Sequence, residues 1–267
     1  MAQNVVEVAG QANDLTGSEF WDERWKTAGR HGRVLSPHHG THGRNGYIMR
    51  MVRRHIPNLE GLSVLEVGGG GGAHRLLALT KWGGVRAFAV DYSPVGIRQT
   101  QAAFHANGCQ IKTYLADFLD WEGEGHRFDL IVHWGVIEHL QDPTLLLERT
   151  ANLLTSGGLT LFSMPNMEAW GATLWRMWAP VNWSYHICHS EAIVRNAAER
   201  AGLQLTKTFH YGPPLIRISA WETGGLLTAA VTAAHYVAVS LSWLLPVYSA
   251  GSGRVAQERG FLARRMS

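Results

Sequence analysis

Cysteine is scarce. The 267 residues contain two, Cys109 and Cys188, too few for a disulfide framework and without the spacing of a zinc site. Such a chain is expected in a reducing compartment. Charge is sparse as well, at 17% of residues with a net of +3. The arginines that do cluster, Arg50, Arg53 and Arg54 and then Arg264 and Arg265, read as solvated helix faces rather than as a nucleic-acid groove. Residues 1–16 lack a basic stretch followed by an apolar run. No secretory signal is expected there, and the cytoplasm is the expected location. No internal repeat is present. What the chain does have is 46% apolar residues and 30 glycines, which suits one large folded domain with a sizeable core.

The middle of the sequence alternates regularly. Short apolar runs at Ser63–Val67, Val85–Val90, Ile111–Leu115, Phe128–His133, Leu159–Ser163 and Leu203–Phe209 read as strands, with a last one at Gly260–Ala263. Between them, Ala73–Thr80, Ser93–Asn107, Pro143–Leu154 and Ser190–Ala201 read as helices. Strands alternating with helices predict an α/β fold: a Rossmann-like, mostly parallel, seven-stranded sheet with helices on both faces. Ser156, Gly157 and Gly158 are expected to stop the helix before the fifth strand. A short helix is expected around Phe20–Trp25, a glycine- and histidine-rich loop over Gly29–Gly46, and another helix over Tyr47–His55. The expected division is an N-terminal arm and lid segment over residues 1–45, then one domain over 46–267. Helical lid insertions are expected at about 166–189 and 221–253.

The informative segment is Val64-Leu65-Glu66-Val67 followed by five glycines, Gly68 to Gly72. A buried strand ends, the backbone turns where a ligand can approach closely, and a helix begins. Asp91 closes the second strand, about 20 residues on, where dinucleotide-type folds hold ribose hydroxyls. Asp117-Phe118 follows the third strand. Trp134-Gly135-Val136-Ile137-Glu138-His139 follows the fourth. All these points fall at carboxyl ends of strands, where open α/β sheets bind ligands. Spacing alone leaves a nicotinamide-dinucleotide site open, with Ala73 at the last position of its fingerprint. The acidic Glu66 argues against it, because a carboxylate repels phosphate.

The ordered set resembles class I S-adenosylmethionine-dependent methyltransferases. Arg44-Asn45-Gly46-Tyr47-Ile48, Glu138-His139-Leu140 and Ser163-Met164-Pro165-Asn166 look like the quinone-biosynthesis O-methyltransferase group and its small-molecule relatives. The resemblance implies S-adenosyl-L-methionine as cofactor and S-adenosyl-L-homocysteine as product. It implies that Glu66 with Gly68, Gly70 and Gly72 holds the methionine end, and that Arg44 contacts its carboxylate. Asp91 would hold the ribose and Tyr92 would lie against the adenine. Asp117 and the Phe118 amide would read the adenine edge, and His133 and Trp134 would pass the sulfonium. The implied partner is a small-molecule acceptor, most simply O-methylated, apolar or aromatic. N- or C-methylation, an RNA or protein substrate, and a non-catalytic binding module are the alternatives. No nucleic-acid partner is expected.

For a base, histidine suits neutral pH. The candidates are His139 with its neighbour Glu138, and His186 in Tyr185-His186-x-x-His189. Trp170, Trp175, Trp178 and Trp183 suggest an aromatic wall for the acceptor. Trp21 and Trp25 either close over the cofactor or staple their own helix. The 14 histidines, with His38, His39 and His42 close together, show no cysteine or carboxylate pattern, and no metal is expected. Finally, Thr223–Gly253 lacks Asp, Glu, Lys and Arg altogether. Leu226, Leu227, Ala230, Ala234, Val237, Leu241 and Leu245 follow helical spacing. The chain must still return to the sheet at Gly260–Ala263. A helical insertion over the acceptor pocket is therefore expected rather than a membrane span, with shallow membrane contact as the alternative.

Overall fold

The computed structural model describes residues 14–27, 34–212, 225–244 and 253–266. Residues 29–33, within the expected glycine-rich loop, lie outside them. Seven strands form one sheet: β1 (Ser63–Val67), β2 (Arg86–Asp91), β3 (Lys112–Leu115), β4 (Phe128–Trp134), β5 (Leu154–Pro165), β6 (Leu203–Tyr211) and β7 (Glu258–Arg265). Their order is β3-β2-β1-β4-β5-β7-β6. The first five pair in parallel, and β7 runs antiparallel between β5 and β6. The order reverses between β1 and β4, which opens a crevice at their carboxyl ends.

The helices cover both faces as alternation requires. α3 (Gly43–His55), α4 (His74–Gly83) and α5 (Pro94–Ala106) bury Ile48, Met51, Leu76, Leu77 and Phe104 against Val64, Ala89, Val132 and Leu161. On the other face, α6 (Thr144–Leu153) and α9 (Glu191–Arg200) bury Leu147, Ala151, Val194 and Ala198 against Leu65, Ile131, Phe162 and Phe261. β1 is buried at every position, as a central parallel strand should be. Local chemistry sets the ends. Ser93 accepts the Gly96 N–H at 2.9 Å, with Pro94 in the first turn of α5, and Ser190 accepts the Ile193 N–H at 3.3 Å at the start of α9.

Several expectations give way. The stretch from Pro37 to Gly46 is not loop: α2 (Pro37–Thr41) lies there, and α3 starts at Gly43. Pro37 sits in the first turn of α2, a position where its missing N–H costs nothing. Ala73 caps α4 from a left-handed conformation rather than starting it. Gly157 and Gly158 do not stop α6; that helix ends at Leu153 and the glycines lie inside β5, where the register with β4 shifts. The insertion after Pro165 folds as α7 (Ala172–Trp178) and α8 (Pro180–Ser184). The uncharged segment folds as α10 (Leu226–Leu244). Among the described residues no helix is long and apolar enough to cross a membrane. α10 contacts α3, the helix that carries Arg44.

Candidate functional site

The glycine loop leaves β1 with Gly68 at φ 65° and Gly71 at φ 67°, values that side chains rarely adopt. The Gly68 and Gly69 N–H groups donate to the Val90 carbonyl at 3.0 and 3.2 Å, which ties the loop to the end of β2. There Asp91 is buried. Its carboxylate accepts the Gly70 N–H and the Ser93 N–H, each at 2.7 Å. Burial pushes Asp91 up to about 6, against those two donors. Glu66 is buried beneath the loop and accepts the Leu76 N–H at 3.2 Å. Burial pushes it up to about 7, partly offset by the Arg75 guanidinium, the Leu76 N–H and the Trp134 indole.

Two cavities meet over this loop. The inner one has a volume of about 110 Å³, narrower than the ~300–1,000 Å³ of small-molecule sites. Asp91, Tyr92, Ala116, Asp117, Phe118, Leu119 and Leu146 line it. Burial raises the Asp117 carboxyl, although its Oδ1 accepts the Leu119 N–H at 2.9 Å. Burial also raises Tyr92 far above its ordinary range; its hydroxyl donates to Asp14 at 3.1 Å. The outer cavity, about 350 Å³, is lined by Arg44, Glu66, Gly70, Gly71, Arg75, Glu138, His186 and Glu258. Trp21, Trp25, Gly68, Trp134, Gly135 and His139 border both.

The three candidate catalytic residues come together. Glu138, His139 and His186 each offer one ligand atom, all within 4.8 Å of one another, and the two histidine rings lie 4.6 Å apart. His139 donates from Nδ1 to the Tyr185 carbonyl at 2.6 Å, and His186 donates from Nδ1 to the Asn182 carbonyl at 2.7 Å. Those bonds place a proton on each Nδ1, so in the neutral ring the lone pair belongs to Nε2. Remote segments hold the turn at Ile137–His139. Leu15 N–H donates to the His139 carbonyl at 2.8 Å, and Ile187 N–H donates to the Glu138 carbonyl at 2.7 Å. Trp175 presents its ring to the His186 ring edge-on at 4.8 Å and donates to Asn182 at 3.0 Å.

Other candidates fall elsewhere. His133 lines neither cavity: it is fully buried, its ring stacks on Phe162 at 4.6 Å, and burial pushes its pKa down to about 3. The reason is pleating. Trp134 turns toward the crevice, and His133, one residue earlier, turns to the opposite face. Gly72 lines neither cavity, and its N–H donates to Thr100 at 3.0 Å. Arg44 does reach the outer cavity, but its guanidinium is held by Glu258 of β7 at 2.6 Å. His189 is buried and donates to the Leu140 carbonyl at 2.9 Å. His38 and His42 stack on each other at 3.9 Å, away from His186. Trp170, Trp175, Trp178 and Trp183 line neither cavity, and Trp170 is exposed.

The aromatic wall comes instead from α1 (Ser18–Thr27). Trp21 and Trp25 stack at 5.4 Å, and a Cβ on Gly71 would meet the Trp25 ring at 2.5 Å. Asp22 anchors this helix by accepting from Ser93 Oγ and from the Val95 N–H at 3.3 Å. Gln99 donates to the Trp25 carbonyl at 2.8 Å. Sequence reasoning missed Arg75, Glu258 and Asp22. Each acts through a partner distant in the chain, so no local pattern marks it.

Comparison with known proteins adds a family. The sequence profile of the methyltransferase-domain family matches residues 41–208. The chain belongs to that family. The methyltransferase-domain chain is 34% identical over 157 residues to a ubiquinone biosynthesis O-methyltransferase of Caulobacter sp., covering 56% of this chain and 59% of that one. It is 27% identical over 162 residues to the enzyme of the same name from Azorhizobium caulinodans, covering 57% and 60%. It thus spans about 60% of the length of these curated relatives. In fold it is similar to magnesium protoporphyrin IX methyltransferase from Synechocystis, solved with bound S-adenosylhomocysteine. The TM-score is 0.54 at 17% identity, over 83% of this chain and 82% of that one. The resemblance drawn from the motifs thus holds at the level of family and fold.

Proposed function

We propose that the chain transfers a methyl group from S-adenosylmethionine to a small apolar or aromatic acceptor, most simply to a hydroxyl oxygen. One observation carries this reading. His139 stands at the border of the two cavities with its Nδ1 proton committed to Tyr185. In the neutral ring Nε2 is then the nitrogen that can accept a proton, and the residue borders both cavities. The inner cavity, lined by Asp91 and Asp117, suits the nucleoside, and the outer one receives the donor's amino-acid end and the acceptor.

The chemistry is an in-line displacement. The acceptor oxygen attacks the methyl carbon, the carbon–sulfur bond breaks toward sulfur, and the acceptor proton passes to His139. Holding the two reactants at attack distance contributes up to ~7–11 kcal/mol. Trp21, Trp25 and Phe20 give the acceptor an apolar contact surface. The relatives' names, ubiquinone biosynthesis O-methyltransferases, favour an oxygen acceptor over an amine. A labelled-methyl assay on matched phenols and anilines tests this. Transfer to the phenols supports the proposal; transfer confined to amines, or to none of them, contradicts it.

A second reading rests on Glu138, His139 and His186 as a donor set. Metal-bound histidines commonly give their other N–H to a backbone carbonyl, and both histidines do so here. A divalent ion held by the three would lower the pKa of an acceptor hydroxyl. Loss of turnover in a chelator, restored by added divalent ion, would select this reading over histidine acting alone.

A further inference from the structure

A guanidinium and a carboxyl group face the outer cavity without pairing. Arg75 lies in the first turn of α4, and its guanidinium sits over the Trp134 ring, 4.7 Å from the centroid. Its Nε is closed off from solvent and has no hydrogen-bond partner among the described residues. Glu66 lies in the wall of the same cavity. The ion pair of this region is Arg44 with Glu258, and among the described residues neither Arg75 nor Glu66 forms one. Enclosing two opposite charges without pairing them is costly. A purely structural arginine would relieve that cost by closing on Glu66. Arg75 instead rests on an aromatic face with its Nε unpartnered.

A ligand that carries both charges a short distance apart would complete such a slot. The amino-acid end of the methyl donor is one: its ammonium needs a carboxylate, and its carboxylate needs a guanidinium fork. Arg44, to which the motif resemblance points, has its fork committed to Glu258. We propose that Arg75 is the carboxylate anchor of the cofactor, with the amino-acid end lying between Arg75 and Glu66. Arg44 then acts at one remove: it holds Glu258 and adds positive potential beside Arg75. Burial lowers the Arg75 pKa, and Arg44 lowers it further, as expected for a cation awaiting an anion. This inference rests on the cleft taking the methyl donor.

The test titrates the full chain calorimetrically with S-adenosylhomocysteine and with 5′-methylthioadenosine, which shares the nucleoside but lacks the amino-acid end. Arg75→Ala is expected to weaken S-adenosylhomocysteine by about tenfold or more and to leave 5′-methylthioadenosine within about twofold. Arg75→Lys keeps the charge but loses the fork, and recovers part of the loss. Arg44→Ala loses less than Arg75→Ala. Equal loss of both ligands in the Ala and Lys variants would make Arg75 a structural support of the loop and overturn the assignment. So would an unchanged S-adenosylhomocysteine affinity, or a larger selective loss in Arg44→Ala. Should the unsubstituted protein bind neither ligand, the methyl-donor reading itself fails, and that silence appears before any variant is made.

Discussion

The two halves of the cleft are built by different means. The inner half is made at strand ends: Asp91 closes β2, Asp117 follows β3, and Gly68 follows β1. The sheet fixes these positions, and a few backbone donors fix the carboxylates. The outer half is assembled from α1, α3, α8 and β7, which are far apart in the chain. Side-chain bonds to remote segments hold them: Asp22 with Ser93 and Val95, and Arg44 with Glu258. A fold can hold a nucleoside with its scaffold alone. The reacting end needs pieces brought in from elsewhere, and those are the pieces that can differ between relatives sharing one sheet.

If the halves are separable, substitutions should sort by half. The largest effect is expected at the junction. His139→Ala should lower turnover by about 100- to 10,000-fold, the range for a positioned base, with S-adenosylhomocysteine affinity nearly unchanged by calorimetry. A parallel loss of affinity would mean the halves are one unit. Next, Asp91→Ala should weaken both S-adenosylhomocysteine and 5′-methylthioadenosine, by about 10- to 100-fold, since hydrogen bonds to a charged group contribute ~1.5–3 kcal/mol. A loss restricted to S-adenosylhomocysteine would place Asp91 in the other half.

A smaller effect is expected from pH. Glu66, with an ordinary value of 4.5, is raised to about 7. A raised carboxylate gives stability that is present below the unfolded value and lost as pH rises through the folded one. The empty protein should therefore lose stability from pH 4.5 to above 7. The ligand ammonium favours the ionised form, so affinity should rise from pH 6 to pH 8 by about tenfold at most. Thermal shifts with S-adenosylhomocysteine at several pH values check this, and Glu66→Gln should flatten the dependence. The smallest effect belongs to the anchor of α1. Asp22→Ala removes the acceptor for Ser93 and Val95 at the start of α5, a helix end that favours negative charge by ~0.3–1 kcal/mol. Ligand release measured by stopped flow should quicken by about threefold.

The same contrast explains what could be read from the sequence. The sheet, its order of elements and the strand-end acids follow from local apolar runs and glycines, which carry their meaning within a few residues. The Glu138-His139 pair was legible for the same reason. His133 misled because pleating sends adjacent residues to opposite faces, and a one-residue error places a side chain in the core. The four lid tryptophans misled because density of aromatics says nothing about which way a lid turns. Trp175 in fact braces His186 from behind. Arg44 was placed at the right cavity, but Glu258, which holds it, lies 214 positions away. Gly157 and Gly158 looked like a helix stop because glycines end helices more often than they enter strands.

On the proposed reading, one continuous cleft over the glycine loop takes the methyl donor. The most direct test is a crystal structure grown with S-adenosylhomocysteine. Density for the nucleoside is expected between Asp91 and Asp117, with the amino-acid end toward Glu66 and Trp25 lying over the loop. Density at another surface, or an empty cleft at saturating ligand, would contradict it.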